Sequence, residues 1–205
     1  MRVCEIFLSL QGEGLDAGLP TVFVRLSGCN LRCSYCDTQY AFCEGEEMRE
    51  EEIVDRICGL GCKRVCITGG EPLLQDISPL SKKLRAKGFW TKLETNGSLP
   101  LAGDFDVVDM DIKTPSSGES GKMKLSSIKS LGKKDELKFV ISDREDYDYS
   151  KSVIKEFEPG CNIIFQPAYG ALKPEKLAEW MIEDRLEARL GIQLHKLLWG
   201  ERKGV

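Results

Sequence analysis

Three features of the 205-residue sequence predict an α/β fold built on one mainly parallel sheet. Short β-rich runs alternate with helix-like segments, several of those segments end at a glycine, and unusual polar tetrapeptides follow the runs at corresponding places. Strand–helix alternation implies parallel strands joined by right-handed crossovers.

The first run, VCEIFLSL, is an N-terminal strand joined by the glycine-rich connector QGEGLDAGLP to TVFVRLSG (21–28). Further strands are expected at RVCIT (64–68), WTKLET (90–95), FDVVDMDI (105–112), ELKFVIS (136–142), CNIIFQP (161–167) and RLGIQLH (189–195). Between them MREEEIVDRICGLG, DISPLSKKLRAKG, KLSSIKSLG, DREDYDYSKSVIKEF and PEKLAEWMIEDRLE read as helices. Gly59, Gly88 and Gly132 read as helix stops. The acidic run EGEEMREEE (Glu44 to Glu52) reads as a solvated loop and helix start, because acids favour a helix N-terminus. No repeat or linker divides the chain, so residues 1–205 are expected to form one domain.

The chain is 41% hydrophobic and 30% charged with a formal net charge of −4, which gives no basic footprint for nucleic acid. Nothing approaches the ~20 apolar residues of a membrane span. The opening MRVCEIFLSL has neither the apolar core nor the small-residue cleavage site of a secretory signal. A soluble cytoplasmic protein is the expectation. Its nine cysteines then read as thiols or metal ligands, because the cytosol keeps most thiols reduced.

In a parallel α/β sheet the chemistry sits at the C-terminal ends of the strands. The segments GGEP after RVCIT, ETNG closing WTKLET, DIK closing FDVVDMDI and QP closing CNIIFQP all fall on that rim. Each alone is a plausible turn. Beside them stands GCNLRCSYCDT (28–38), in which Cys29, Cys33 and Cys36 form C-x3-C-x2-C. Structural zinc wants four ligands, and the only histidine, His195, is far along the chain. A ferredoxin-type cluster wants a fourth cysteine in matching spacing. Three thiolates on a cubane leave one iron open, which is where a cofactor binds. The remaining cysteines lack such partners. Cys62 and Cys66 flank the start of a buried strand, where cysteine is a good small core residue.

This spacing, with Tyr35 before the last cysteine, resembles the radical S-adenosylmethionine (SAM) superfamily. The resemblance implies an incomplete (β/α) barrel with an N-terminal strand extension and a [4Fe-4S] cluster whose open iron is chelated by SAM. It also implies SAM contacts at Tyr35, Cys36 and Asp37, at Gly70 and Glu71, at Glu94 and Asn96, at Asp111, Ile112 and Lys113, and at Gln166 and Pro167. The combination of SLQGEG (Ser9 to Gly14), FVRLSGCNLRCSYCDT, TGGEP and QLHK resembles one family specifically, the 7-carboxy-7-deazaguanine synthases. That family contracts 6-carboxy-5,6,7,8-tetrahydropterin to 7-carboxy-7-deazaguanine with loss of ammonia, for queuosine or archaeosine in tRNA. It uses SAM catalytically, with Mg2+.

The family resemblance implies Thr38 as a Mg2+ ligand. Leu10, Gln11, Gly12 and Glu13 would form a rim around the pterin. Arg25 would pair with the substrate carboxylate, and Thr68 and His195 would reach the same ligand. It further implies a homodimer and an electron donor such as flavodoxin or ferredoxin. A glycyl-radical activase shares the cysteine spacing. A non-catalytic iron–sulfur or zinc protein is the rival from another class. The loop DIKTPSSGES and the tail WGERKGV have roles the sequence leaves open.

Overall fold

The computed structural model describes residues 1–205 except 201, 203 and 205. Among the described residues nine strands form one sheet in the order β3-β1-β2-β4-β5-β6-β7-β8-β9. β1 (Arg2–Leu10) pairs antiparallel with β2 (Pro20–Leu26) and with β3 (Glu46–Glu47). From β2 onward the pairing is parallel: β4 (Arg64–Gly69), β5 (Trp90–Thr95), β6 (Val107–Ile112), β7 (Glu136–Ile141), β8 (Asn162–Pro167) and β9 (Arg189–Leu190).

Side chains alternate between the two faces of a strand, and here the alternation is chemical. One face carries Val22, Val24 and Leu26, Val65 and Ile67, and Leu93, packed into a first apolar core with Ile53, Val54, Ile57, Leu80 and Leu84 of the helices. Further along the same face, Met110, Ile112, Leu137, Phe139, Ile141 and Phe165 build a second core with Tyr147, Val153 and Leu177. The other face carries Arg25, Lys92, Glu94, Asp109, Asp111 and Lys138. A parallel sheet is usually covered by apolar packing on both sides. Ionisable side chains from β2, β5, β6 and β7 cluster on this face beside Thr68 of β4 and Gln166 of β8, and mark it as the wall of a site.

The helices follow local signals. α1 (Glu50–Gly59) opens with three glutamates, and Arg49 N donates to Glu52 Oε2 at 2.9 Å in a capping box. α2 (Ser78–Ala86) starts with a proline in its first turn and stops before Gly88, whose φ of 74° fits the left-handed stop. α3 (Arg144–Phe157) is capped by Asp143, which accepts from Asp146 N at 3.0 Å. α4 (Pro174–Glu183) and α5 (Leu194–Trp199) complete the set. Among the described residues no helix is long and apolar enough to cross a membrane.

Several expectations are corrected. Glu46 and Glu47 form an edge strand instead of loop. Gly59 lies inside α1, and the left-handed stop falls at Gly61, with φ 69°. KLSSIKSLG forms only a 3-10 turn over Leu125–Ser130, where Ser130 Oγ donates to Ser127 O at 2.5 Å and competes with helical bonding. The run RLGIQLH is strand only at Arg189–Leu190, and His195 belongs to α5.

Candidate active site

A cavity of about 550 Å³ opens at the C-terminal rim of the sheet and reaches down its charged face. All three motif cysteines line it, as free thiols. The cysteine loop is held from two sides. Glu71 N donates to Gly28 O at 2.8 Å and Asn96 Nδ2 to Asn30 Oδ1 at 3.2 Å. From the other side, Ser34 N donates to Ser117 O at 3.1 Å and Arg32 N to Glu119 Oε1 at 2.7 Å. The serine- and glycine-rich loop after Lys113 is therefore a buttress of the cysteine loop. Gly70 is required by space: a Cβ there would stand 2.1 Å from Gly28 O.

Burial pushes the Cys33 thiol up to about 11, and Cys36 is raised for the same reason. Buried thiolates need a cation, and a cluster ligated by three thiolates supplies it, so this donor set fits an iron–sulfur cluster. Among the described residues no three His, Cys, Asp or Glu side chains converge on a single metal ion. A cubane, by contrast, takes its thiolates on separate corners.

The residues read as SAM contacts divide. Tyr35, Asp37, Gly70, Asn96, Asp111, Lys113 and Gln166 line the cavity. Gln166 is fully buried there, and among the described residues neither its amide oxygen nor its amide nitrogen has a partner. A buried amide without partners fits a ligand that both donates and accepts. Burial disfavours the charge of Lys113, yet Asp111 at 3.0 Å keeps it above the ordinary lysine value. Three others lie off the cavity. Glu71 is a bracket for the rim: its carboxylate accepts from Leu73 N, Thr95 Oγ1 and Asn96 N at 2.9, 2.9 and 2.7 Å. Ile112 packs in the second core, and Pro167 closes β8 against Ile141.

The substrate candidates converge on the cavity: Leu10, Gln11, Gly12, Glu13, Arg25, Thr68 and His195 all line it. The connector between β1 and β2 folds back under the sheet. Gln11 Nε2 donates to Glu94 Oε1 and Thr68 Oγ1 to Glu94 Oε2, each at 2.9 Å. Both oxygens of Glu94 are thus engaged with substrate candidates, on the floor of the cavity. Arg25 faces inward, with its Nε donating to Glu5 Oε1 at 2.7 Å, and that same oxygen accepts from Tyr40 Oη at 2.7 Å. Thr38 Oγ1 donates to Asp37 Oδ1 at 2.7 Å. Asp37 is faced by His195 Nε2 at 3.9 Å and Lys196 Nζ at 3.8 Å. Burial opposes its charge, but His195, Thr38 and Lys196 hold the carboxyl far below its usual range. α5 is tied to the connector by Leu194 N donating to Gly12 O at 2.9 Å. Gly200, Arg202 and Gly204 bring the tail to the cavity as well; residues 201, 203 and 205 lie outside the described ones.

Sequence reading missed Lys138 and Asp109, which line the floor, and Lys92, which is buried behind them. Lys92 is 1% exposed, with Nζ 2.9 Å from Glu136 Oε1 and 3.6 Å from Asp109 Oδ2. The available signal was charge at every second position in WTKLET, FDVVDMDI and ELKFVIS.

The radical SAM superfamily model matches residues 23–141, from β2 through β7. A 7-carboxy-7-deazaguanine synthase of Koribacter versatilis is 41% identical, with all of both chains covered. Those of Methanospirillum hungatei (41% identical, 97% of this chain and 85% of that one) and Clostridium acetobutylicum (38% identical, 98% and 97%) agree. This chain belongs to the 7-carboxy-7-deazaguanine synthase family of the radical SAM superfamily. Membership sets aside the activase and the electron carrier that the cysteine spacing alone allowed. The crystal structure of QueE from Escherichia coli shares the fold, with a TM-score of 0.79 at 23% identity over 95% of this chain and 94% of that one. The sheet is open and mostly parallel, as an incomplete barrel requires.

Proposed function

We propose that this chain, as a single radical SAM domain, contracts 6-carboxy-5,6,7,8-tetrahydropterin to 7-carboxy-7-deazaguanine with loss of ammonia. One observation carries the reading: three thiols on one loop share a cavity with an inward arginine, an anionic glutamate and a glutamine-to-glutamate hydrogen-bond chain. Cys29, Cys33 and Cys36 would hold the [4Fe-4S] cluster, and Lys113, Asn96 and Gln166 would hold SAM. When bound, that pair supplies one-electron cleavage of the sulfonium and the hydrogen abstraction that starts and ends the cycle.

The chain's own groups then place the substrate. Arg25 matches a carboxylate, because a guanidinium offers paired donors in a plane. Glu13 and Gln11 match the mixed donor and acceptor edge of a pterin. The Thr38 hydroxyl beside Asp37 is a hard oxygen donor suited to Mg2+. Hydrogen transfer needs near-contact geometry, so the floor and rim must hold the two ligands within about 3–4 Å. A homodimer, a flavodoxin or ferredoxin as electron donor, a cytoplasmic location and a product destined for tRNA nucleosides complete the reading.

The test is anaerobic: reconstituted protein, reductant, SAM, Mg2+ and the tetrahydropterin, with mass spectrometry for 7-carboxy-7-deazaguanine. Product from the wild type, lost in Arg25→Met and lowered when Mg2+ is omitted, supports the assignment. SAM cleavage without that product would overturn it. Light scattering reads the oligomeric state.

A further inference from the structure

Lys138 lies outside every motif that pointed to function, yet it stands in the middle of the cavity floor. It projects from the charged face of β7 and its Nζ donates to Glu13 Oε2 at 2.5 Å. Asp111 and Asp109 face the same ammonium at 3.6 and 3.9 Å. A lysine serving only to neutralise Asp109 would sit against it; this one sits against the connector, 125 residues away in sequence. The other oxygen of Glu13 accepts from Gln193 Nε2 at 3.0 Å. A carboxylate gripped at both oxygens is fixed in orientation and still has a lone pair free on each for a ligand.

We propose that Lys138 is a positioning residue for substrate: it fixes Glu13 as an ionised acceptor for a paired N–H edge, such as the 2-amino-4-oxopyrimidine edge of a pterin. The proposal rests on the pterin reading above and adds to it the group that orients its recognition. Charge supports it. Burial works against the Glu13 carboxylate, but Lys138 from β7 and His195 from α5 bring it down to about 2, opposed by Asp37 of the cysteine loop. Lys138 itself is flanked by Asp109 and Asp111 of β6.

The experiment titrates 6-carboxypterin, a non-reacting probe, into the anaerobically reconstituted, SAM-loaded protein by calorimetry. Iron content and thermal midpoint serve as controls for folding. Lys138→Met is expected to weaken binding about ten- to hundredfold, the loss of a charge-assisted contact, and Lys138→Arg to recover part of it. A second readout separates positioning from structure. Wild-type affinity should stay level from about pH 5 to 6.5, below the range in which Asp109 and the lactam N–H of the probe ionise, whereas in Lys138→Met it should fall toward acid, because Glu13 without its ammonium takes up a proton. If Lys138→Met does not fold, Lys138→Arg and Gln193→Leu carry the test: Gln193→Leu frees one oxygen of Glu13 and should cost about three- to tenfold, the loss of an uncharged donor from a carboxylate that keeps its ammonium. A folded, iron-loaded Lys138→Met that binds like wild type at every pH overturns the proposal. So does wild-type affinity in both Lys138→Arg and Gln193→Leu. Failure of the wild type itself to bind the probe overturns the pterin reading and this role with it.

Discussion

Replacing Lys92 by methionine should destabilise the fold strongly, and by an amount that depends on pH. The ammonium is buried and faces three carboxylates: Glu136 at 2.9 Å, Asp109 at 3.6 Å and Asp16 at 3.9 Å. Methionine keeps the volume, so packing should change little. What changes is that two buried carboxylates lose their nearest cation. Breaking a buried pair on one side costs about 3–5 kcal/mol, a large share of the roughly 5–15 kcal/mol that holds a domain folded.

The pH dependence follows from Asp109. Burial first, and then the neighbouring Glu136 and Glu94, raise its carboxyl to about 7 despite Lys138 and Lys92. A carboxyl raised on folding contributes stability that is present below its unfolded value and lost as pH rises through its folded value. Removing Lys92 raises Asp109 further and extends that loss to higher pH. Urea unfolding under reducing conditions, followed by tryptophan fluorescence at about pH 5 and about pH 8, should show the larger deficit at the higher pH. A deficit below about 1 kcal/mol, or one that is equal at both values, would refute the account of the floor as a mutually dependent charge cluster.

Gly70→Ala should prevent full cluster loading, because its Cβ would stand 2.1 Å from Gly28 O, backbone that cannot swing aside; iron analysis of the reconstituted protein reads this directly. Gly12→Ala puts a Cβ 2.1 Å from His195 Nδ1 and should displace α5. The expected result is a KM for the tetrahydropterin raised about tenfold or more, since small misplacements are costly, with iron content unchanged. Glu119→Ala removes the acceptor of Arg32 N and should shorten the lifetime of the cluster in air, followed by loss of its visible absorbance.

The apolar half of each strand was legible in sequence because it has one function, to bury itself. Val22, Val24 and Leu26 alternate with Phe23 and Arg25, and that period fixes which face is core. The cysteines were legible because ligand spacing is local, and the rim tetrapeptides because glycine and proline break regular structure. The floor and the charges behind it were not, because Lys92, Asp109, Glu136 and Lys138 acquire meaning only when β5, β6 and β7 lie side by side. The same holds for the brace that the Glu71 side chain provides behind the GGEP backbone. The carboxylate is taken up by Thr95 and Asn96 from the next strand, a pairing that spans about two dozen residues. The 3-10 turn at Leu125–Ser130 was misread because its apolar spacing is helical while its serines bond locally.

The measurement that bears most directly on the central claim is stoichiometric. In one anaerobic reaction, 7-carboxy-7-deazaguanine formed is counted against SAM consumed, with the tetrahydropterin in excess. A cavity that holds radical source and substrate in contact returns the hydrogen, so product should exceed SAM consumed many times over. SAM destroyed without product, by protein carrying its full complement of iron, would contradict the assignment of this cavity.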